Sequence, residues 1–224
     1  QVVRPERRRP GSRLQWPAAA GAALLAVLAA CTNDDSAAGA RPLIPTVGTA
    51  LAASQVLIRA VDAGGMRSID PSISTDVPAA HVLDDLFEGL TRLDERGEPV
   101  PGVAASWETS ADGRTWTFHL RPAQWSNGAP LRAGDFVYAW RRTVDPATAS
   151  DYAQALAPVT NALAISTGQL PPSALGISAP DERTLRVTLN APTPYLLSLL
   201  SKSYTYPQYE PAVRAHGDDW VRPE

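Results

Sequence analysis

The sequence predicts a mixed α/β (α+β) fold, and three observations carry this prediction. Apolar and polar residues alternate over 114–120, as they do in a half-buried strand. Asp112-Gly113 and Asn127-Gly128 are dipeptides that favour tight turns beside such strands. Over 82–90 and 136–144, apolar residues instead recur at helical spacing. The chain therefore combines local hairpins with amphipathic helices.

The first 30 residues have the pattern of an export signal. Five arginines within the first 13 residues precede an alanine-rich run over 16–30, which is too short and too small-sided for a membrane span. The run ends in Leu28-Ala29-Ala30-Cys31, the lipobox pattern of bacterial lipoproteins; a chance cysteine behind a signal cut elsewhere is the alternative. We expect Cys31 to carry a lipid anchor and the mature protein to be extracytoplasmic, in the periplasm or on the outer face of the cell membrane.

Beyond the signal, the composition indicates a flexible tether and then a folded domain. Residues 31–53 are rich in Ala, Thr, Ser, Asp and Gly, as flexible linkers are. Cys31 is the one cysteine of the chain, so the domain has no internal disulfide and depends on its core. The net charge is -3, and no segment beyond the signal concentrates Lys or Arg. The composition therefore predicts no nucleic-acid partner.

A strand and a helix are predicted next along the chain. The apolar run 55–60 is typical of a strand, and Gly64-Gly65 ends it. After Pro78, apolar residues recur at helical spacing as far as Leu90, with Gly89 near the end. This pattern predicts an amphipathic helix that packs by one face.

Residues 106–120 have the pattern of a β-hairpin. Two strand-like runs flank Asp112-Gly113, which readily adopts the positive φ angles of a tight turn. In the second run the alternation puts Phe118 on a buried face and His119 on the solvent face. His119 is therefore not expected to be a ligand or a catalyst.

The remaining elements are a helix, a strand and a further helix. The helical pattern over 136–144 has Asp135 in its first turn, where a negative charge suits the helix dipole, and Asp145-Pro146 at its end. Alternation over 184–189 predicts a strand, and Thr193-Pro194 predicts a helix start with a capping hydroxyl. Rings as large as indole bury much apolar area, so four tryptophans are expected in the core: Trp107, Trp116, Trp125 and Trp140.

The sequence contains no pattern that indicates an enzyme. A glycine-rich phosphate loop and a G-x-S-x-G elbow are missing, and His81, His119 and His216 lie far apart in the sequence. Asp84 and Asp85 are adjacent on a predicted helix, so their carboxylates point in different directions. We predict no catalytic residue, no metal site and no cofactor.

Seven short segments stand in a fixed order between about Gln55 and the end. They are Ser68-Ile-Asp-Pro71, Leu86-Phe-Glu-Gly-Leu90, Pro101-Gly-Val-Ala-Ala-Ser-Trp107, Trp116-Thr-Phe-His-Leu-Arg121, Trp125-Ser-Asn-Gly-Ala-Pro130, Asp135-Phe-Val-Tyr-Ala-Trp140 and Val144-Asp-Pro-Ala-Thr-Ala-Ser-Asp-Tyr152. Each alone is common, but in this order they resemble the solute-binding proteins that include oligopeptide and dipeptide receptors. The last segment resembles the oligopeptide receptors most.

The resemblance implies a two-lobed clamshell, like that of periplasmic binding proteins, with an extra domain. An oligopeptide would lie extended between the lobes, held by main-chain hydrogen bonds, and the receptor would deliver it to the membrane subunits of an ABC-type importer. Such receptors are more than twice this long and monomeric at full length, so we expect the N-terminal part here. The implied divisions are an export signal over 1–30, a tether over 31–53, the start of the first lobe over 54–90, a hairpin-rich extra domain over 91–209 and a return toward the first lobe over 210–224.

Three residues match family positions that face the peptide. Thr75 stands where the oligopeptide receptors have an acidic residue, Val77 matches their valine, and Tyr152 matches a tyrosine that meets the peptide near its amino end. Asp76 could compensate for the missing acid, although its side chain would point the other way. Arg132 is a second departure, because the family usually has a capping Thr or Ser there.

The resemblance leaves the ligand and the activity partly open. Receptors for dipeptides, haem or a nickel chelate share the same scaffold motifs. A scaffold or chaperone-like lipoprotein that has lost transport is another reading, which Thr75 would permit. The segment that ends in Tyr152 favours an oligopeptide importer.

Overall fold

A computed structural model of the protein describes residues 66–221. The predicted signal, Cys31, the tether over 31–53 and the predicted strand over 55–60 lie outside these residues. Within the described part, no helix has the length and apolar character needed to cross a membrane.

The described residues form helices and strands in mixed order, as the sequence predicts. The helices are α1 (Val77–Leu86), α2 (Ala133–Val144), α3 (Ala162–Ser166), α4 (Leu196–Leu199) and α5 (Glu210–His216). The strands are β1 (Thr91–Leu93), β2 (Pro99–Pro101), β3 (Ala104–Thr109), β4 (Thr115–Leu120), β5 (Ile177–Asp181) and β6 (Thr184–Thr188).

The strands form two antiparallel sheets. Strands β1 and β2 form a small ribbon, and the larger sheet has the order β3-β4-β6-β5. The predicted hairpin joins β3 to β4, and Gly113 in its turn has a φ of 68°. The alternation is also confirmed, because Phe118 is fully buried while His119 is exposed.

The core lies between helix α2 and one face of the larger sheet. Phe136 and Trp140 of the helix and Phe118 and Leu185 of the sheet are all fully buried and belong to one apolar cluster. Asp145 ends the helix before Pro146, as predicted. This packing fixes α2 as the rigid element on which the candidate site is assembled.

The four tryptophans occupy different environments. Trp140 is fully buried and its indole nitrogen donates to the carbonyl of Thr205 (2.8 Å), while Trp107 and Trp116 are partly buried against the core. The prediction is wrong for Trp125, which is partly buried beside Phe87 and Tyr209 and is not part of that cluster. It sits on the loop of the tight turn at Asn127-Gly128, where Gly128 has a φ of 83°.

Two helix boundaries differ from the predicted ones. Helix α1 ends at Leu86, because Phe87 is extended and closes the last turn through its amide. Gly89 then passes close to the backbone, since a Cβ there would lie 2.6 Å from the carbonyl oxygen of Leu200. The hydroxyl of Thr193 donates to the carbonyl of Ala191 instead of capping a helix, and α4 begins three residues later.

Helix α2 begins without a side-chain cap from Arg132. This is expected because a guanidinium has no acceptor for a backbone amide. Two other groups satisfy the first amides. The Asp135 carboxylate accepts the Arg132 amide (2.9 Å), and the Glu182 carbonyl accepts the Ala133 amide (2.8 Å). Burial raises the pKa of Asp135, although the Arg132 amide and the indole of Trp125 oppose this by stabilising the carboxylate.

Candidate functional site

The loop before helix α1 is fastened by a buried ion pair. The carboxylate of Asp70 is fully buried and receives both terminal nitrogens of Arg142 from helix α2, at 2.8 and 2.7 Å. The indole nitrogen of Trp220 donates to the same carboxylate (2.9 Å). A bidentate contact of this kind fixes the orientation of the guanidinium and the carboxylate as well as the distance between them. The loop is therefore held against α2.

Ser72 extends this contact into a network. Its amide donates to the carboxylate of Asp70 (2.9 Å), and its hydroxyl lies 2.8 Å from that of Thr143. The side-chain amide of Gln208 donates to the same hydroxyl (2.6 Å), and Gln208 in turn accepts from Arg142 (3.1 Å). Buried polar groups satisfied on all sides hold one geometry.

Thr75 and Val77 follow this network on the exposed side of the loop. The side chain of Val77 is 67% exposed, and Thr75 is exposed as well. Between them, the Asp76 carboxylate caps helix α1 by accepting the Ala79 amide (2.8 Å), and its second oxygen accepts the Arg67 amide (3.3 Å). Asp76 is thus committed to the helix start, which leaves Thr75 as the residue at the position of the family acid.

Tyr152 stacks on a second tyrosine. Its ring is 4.7 Å from that of Tyr204, with 20° between the planes. Tyr152 precedes a 3₁₀ turn over Ala153–Leu156, and Tyr204 lies in another over Ser203–Thr205. Burial raises the pKa of Tyr204, and the neighbouring Tyr152 adds to the effect.

A cavity of about 760 Å³ opens beside the stacked rings. Tyr152 and Tyr204 line it together with His81 of α1, Arg92 of β1 and Lys202. Thr75 and Val77 are not among its lining residues, although α1 continues directly from them into the cavity wall. Tyr152 therefore lines the cavity, whereas Thr75 and Val77 lie on the exposed surface of the loop outside it.

Charges of both signs line this cavity. Asp84 accepts a hydrogen bond from the Tyr206 hydroxyl (2.7 Å), and burial, followed by that bond, raises the pKa of Tyr206. Glu88 forms an ion pair with Arg121. Arg92 and Lys202 are exposed. Charged groups of both signs therefore line a cavity that is open to water, and water there completes the hydrogen bonds of different side chains.

Tyr152 is the lining residue that sequence reasoning identified, whereas Tyr204 and Lys202 are among those that it did not. They lie in a run with neither helical nor strand periodicity, so nothing local indicated which way they point. Among residues 66–221, no group of three or more His, Cys, Asp or Glu side chains is arranged to hold a metal ion.

The chain is similar to a set of solute-binding proteins. A family model described as "Bacterial extracellular solute-binding proteins, family 5 Middle" matches residues 98–222. The periplasmic oligopeptide-binding protein OppA of Escherichia coli (strain K12) is 43% identical over 179 residues, which are 79% of this chain and 33% of that protein. The periplasmic murein peptide-binding protein MppA of the same strain is 42% identical over the same shares.

A solved structure of a relative contains a peptide. The crystal structure of Haemophilus influenzae OppA in complex with RPPGFSPFR is 46% identical and matches with a TM-score of 0.67, over 69% of this chain and 31% of that one. The chain thus spans about a third of the length of the curated relatives it matches.

Proposed function

This chain belongs to the bacterial extracellular solute-binding proteins of family 5, which bind solutes for transport and are not enzymes, and we propose that it binds oligopeptides for an ABC-type importer. Two relatives more than 40% identical are named for oligopeptide or murein peptide binding, and a third, 42% identical, is named as a probable deoxycholate-binding protein. In the proposal, the peptide lies extended and contacts Tyr152 near its amino end, with Thr75 and Val77 along its edge.

The observation that carries the proposal is the cavity at Tyr152. A receptor that accepts many peptides must bind what they share, the main chain, and tolerate what differs, the side chains. The cavity is large and is lined by charged groups of both signs beside apolar surface, which suits tolerance of different peptide side chains. The stacked rings of Tyr152 and Tyr204 supply a flat apolar surface and hydroxyl groups at its rim.

The domain division is part of the same proposal. Residues 54–90 start the first lobe, 91–209 form the extra domain, and 210–224 return toward the first lobe. The buried network from Asp70 to Arg142 and Trp220 supports this reading, because it joins the first segment to the extra domain and to the returning segment. A clamshell of two lobes would close over the peptide by a hinge motion.

We also propose that Cys31 is acylated and that residues 31–53 tether the receptor to a membrane on the extracytoplasmic side. One acyl chain binds a membrane only marginally, so the multiple acylation of bacterial lipoproteins is required for firm anchoring. The membrane permease of the importer would then meet a receptor confined near its surface, and the receptor itself would act as a monomer.

Native mass spectrometry of the gene product that carries this sequence tests the proposal. The purified protein should retain a mixture of short peptides that is released on denaturation. Recovery of haem, nickel or dipeptides alone would assign a different ligand within the family. A protein that retains nothing and gives no heat with tri- to pentapeptides in calorimetry would be a scaffold without transport function.

A further inference from the structure

Ser150 joins the two segments that carry the proposed peptide contacts. Its hydroxyl donates to the backbone carbonyl of Ser72 and accepts the backbone amide of Tyr152 (3.2 Å). Ser72 lies three residues before Thr75, and Ser150 lies two before Tyr152. One side chain therefore connects the exposed edge of the loop to the tyrosine at the cavity.

The carbonyl that accepts the hydrogen bond from Ser150 belongs to Ser72, which is held in place by other contacts. Ser72 is buried and is held by Asp70, Thr143 and Gln208. A chain spans at most about 3.6 Å per residue, so the Cα of Thr75 lies within about 11 Å of that of Ser72, and Tyr152 within about 7 Å of Ser150. These segments are short, so Thr75 and Tyr152 have little freedom to move relative to the hydrogen bond between Ser150 and Ser72.

The backbone beside Ser150 is under strain that this contact helps to hold. Ala149 has a φ of 52°, in the left-handed region that residues other than glycine rarely adopt. Its amide closes a 3₁₀ turn on the carbonyl of Pro146, and the next residue is Ser150. Without the Ser150 contact, Ala149 could relax to a negative φ, which would redirect the chain toward Tyr152.

We propose that Ser150 is a positioning residue that sets the ring of Tyr152 relative to the Thr75 edge and thereby tunes peptide affinity. The proposal rests on the proposed peptide binding. Ser150 itself touches no ligand in it; it acts through Tyr152. Ser150→Ala removes both hydrogen bonds, whereas Ser150→Thr keeps a hydroxyl on the same carbon.

Calorimetric titration of the gene product with trialanine measures the effect. Ser150→Ala removes two hydrogen bonds and should weaken binding about 3- to 10-fold, which is the size of one net hydrogen bond, because Ser150 acts on the ligand only through Tyr152. Ser150→Thr should restore most of the affinity. Ser166→Ala is the matched control, because its hydroxyl also donates to a backbone carbonyl, that of Leu163 (3.0 Å), but away from the cavity. It should leave the affinity unchanged.

A double-mutant cycle separates positioning from a general loss of stability. If Ser150 acts through Tyr152, then Ser150→Ala should cost nothing further in a Tyr152→Ala background. Additive losses in the cycle, or an unchanged affinity of the folded Ser150→Ala variant, would overturn the proposal.

Amide chemical shifts test, without a ligand, whether Ser150 positions Tyr152 and Thr75. In the free protein, Ser150→Ala should move the resonances of both Tyr152 and Thr75, and Ser166→Ala should move neither. A parent protein that binds no trialanine would contradict the proposed function and the role of Ser150 in affinity. Unmoved resonances in the folded Ser150→Ala variant would contradict the positioning itself.

Discussion

At the residue scale, two ion pairs between an acidic residue and an arginine differ in how much they stabilise the folded protein. Asp70 is fully buried and Arg142 is 12% exposed, whereas Glu210 and Arg214 pair on the surface of α5. Asp70→Ala removes the carboxylate that the largely buried Arg142 guanidinium pairs with and should lower the free energy of unfolding by about 3–5 kcal/mol. Urea unfolding followed by circular dichroism measures this loss.

The matched control is Glu210→Ala, which removes the carboxylate of an exposed pair four residues apart in one helix. Such pairs contribute about 0.3–0.5 kcal/mol because water and salt screen them. Losses of similar size for both variants would mean that Asp70 and Arg142 are hydrated in solution.

Tyr152→Ala is expected to weaken peptide binding by about 1–2 kcal/mol, because the ligand loses a ring surface and a hydroxyl. Calorimetry on the gene product measures the change. Tyr152→Phe separates the two parts, since it keeps the stack on Tyr204 and removes only the hydroxyl. Unchanged affinity in a folded Tyr152→Ala variant would make the tyrosine a structural residue only.

Cys31→Ser should release the protein from the membrane fraction, because serine cannot carry the thioether-linked lipid. Fractionation of cells followed by immunoblotting measures the distribution. A Cys31→Ser variant that stays as firmly in the membrane fraction as the parent would contradict the anchoring proposal.

Residue roles could be predicted from the sequence only where a motif carried them. Tyr152 stands in a motif and lies at a cavity, while Tyr204, which stacks on it, stands in none. The commitment of Asp76 to the helix cap also depends on two amides that only the folded chain brings to it. Partner choice among polar side chains is decided by tertiary geometry, which periodicity does not encode.

At the scale of elements, the hairpin turn and helix α2 respond oppositely to the same substitution. Gly113 has a φ of 68°, and a Cβ there would also lie 3.3 Å from that of Pro192. Gly113→Ala should therefore destabilise the protein by about 1–2 kcal/mol. Chemical denaturation measures the change.

Gly134→Ala is the control, because this glycine lies inside α2 with no atom within 4 Å of an added Cβ. Alanine restricts the unfolded chain and suits a helix, so a gain of up to about 1 kcal/mol is expected. A stabilising Gly113→Ala would show that the turn adopts another conformation in solution.

Most elements could be predicted because their signals are local. The Asp112-Gly113 turn, the alternation in β4 and the stop at Asp145-Pro146 each act within a few residues, and the structure has all three. The path of the chain after α1 depends instead on a distant contact. Gly89 lies close to the Leu200 backbone. The residues near position 89 in the sequence do not include this neighbour, so local patterns do not predict the contact.

At the scale of the whole molecule, the proposed clamshell would hold a ligand between the described part and a second lobe. A clamshell receptor satisfies the peptide backbone from two lobes and excludes water when it closes. Residues 32–224 alone should therefore bind a tri- to pentapeptide mixture much more weakly than Escherichia coli OppA, used as the positive control. Micromolar or tighter binding by a monomeric, folded sample in calorimetry would contradict the two-lobe argument.

The family was predictable from the order of its motifs, whereas the ligand was not. Each motif segment stabilises the scaffold, as Trp140 does in the core, and the scaffold is shared by receptors with different ligands. The side chains that would distinguish those ligands, such as Arg92 and Lys202 at the cavity, lie outside the motifs.

The contact between Asp70 and Trp220 joins residues 150 positions apart, and this separation bears on the order of folding. Closing a loop costs more entropy as its length grows, while the β3–β4 hairpin closes over a few residues and forms early. Arg142 reaches Asp70 across 72 positions, so the loop that carries Thr75 is held before the chain has folded as far as Trp220. The Trp220 contact then completes the set of hydrogen bonds to Asp70 and is expected to form last among them.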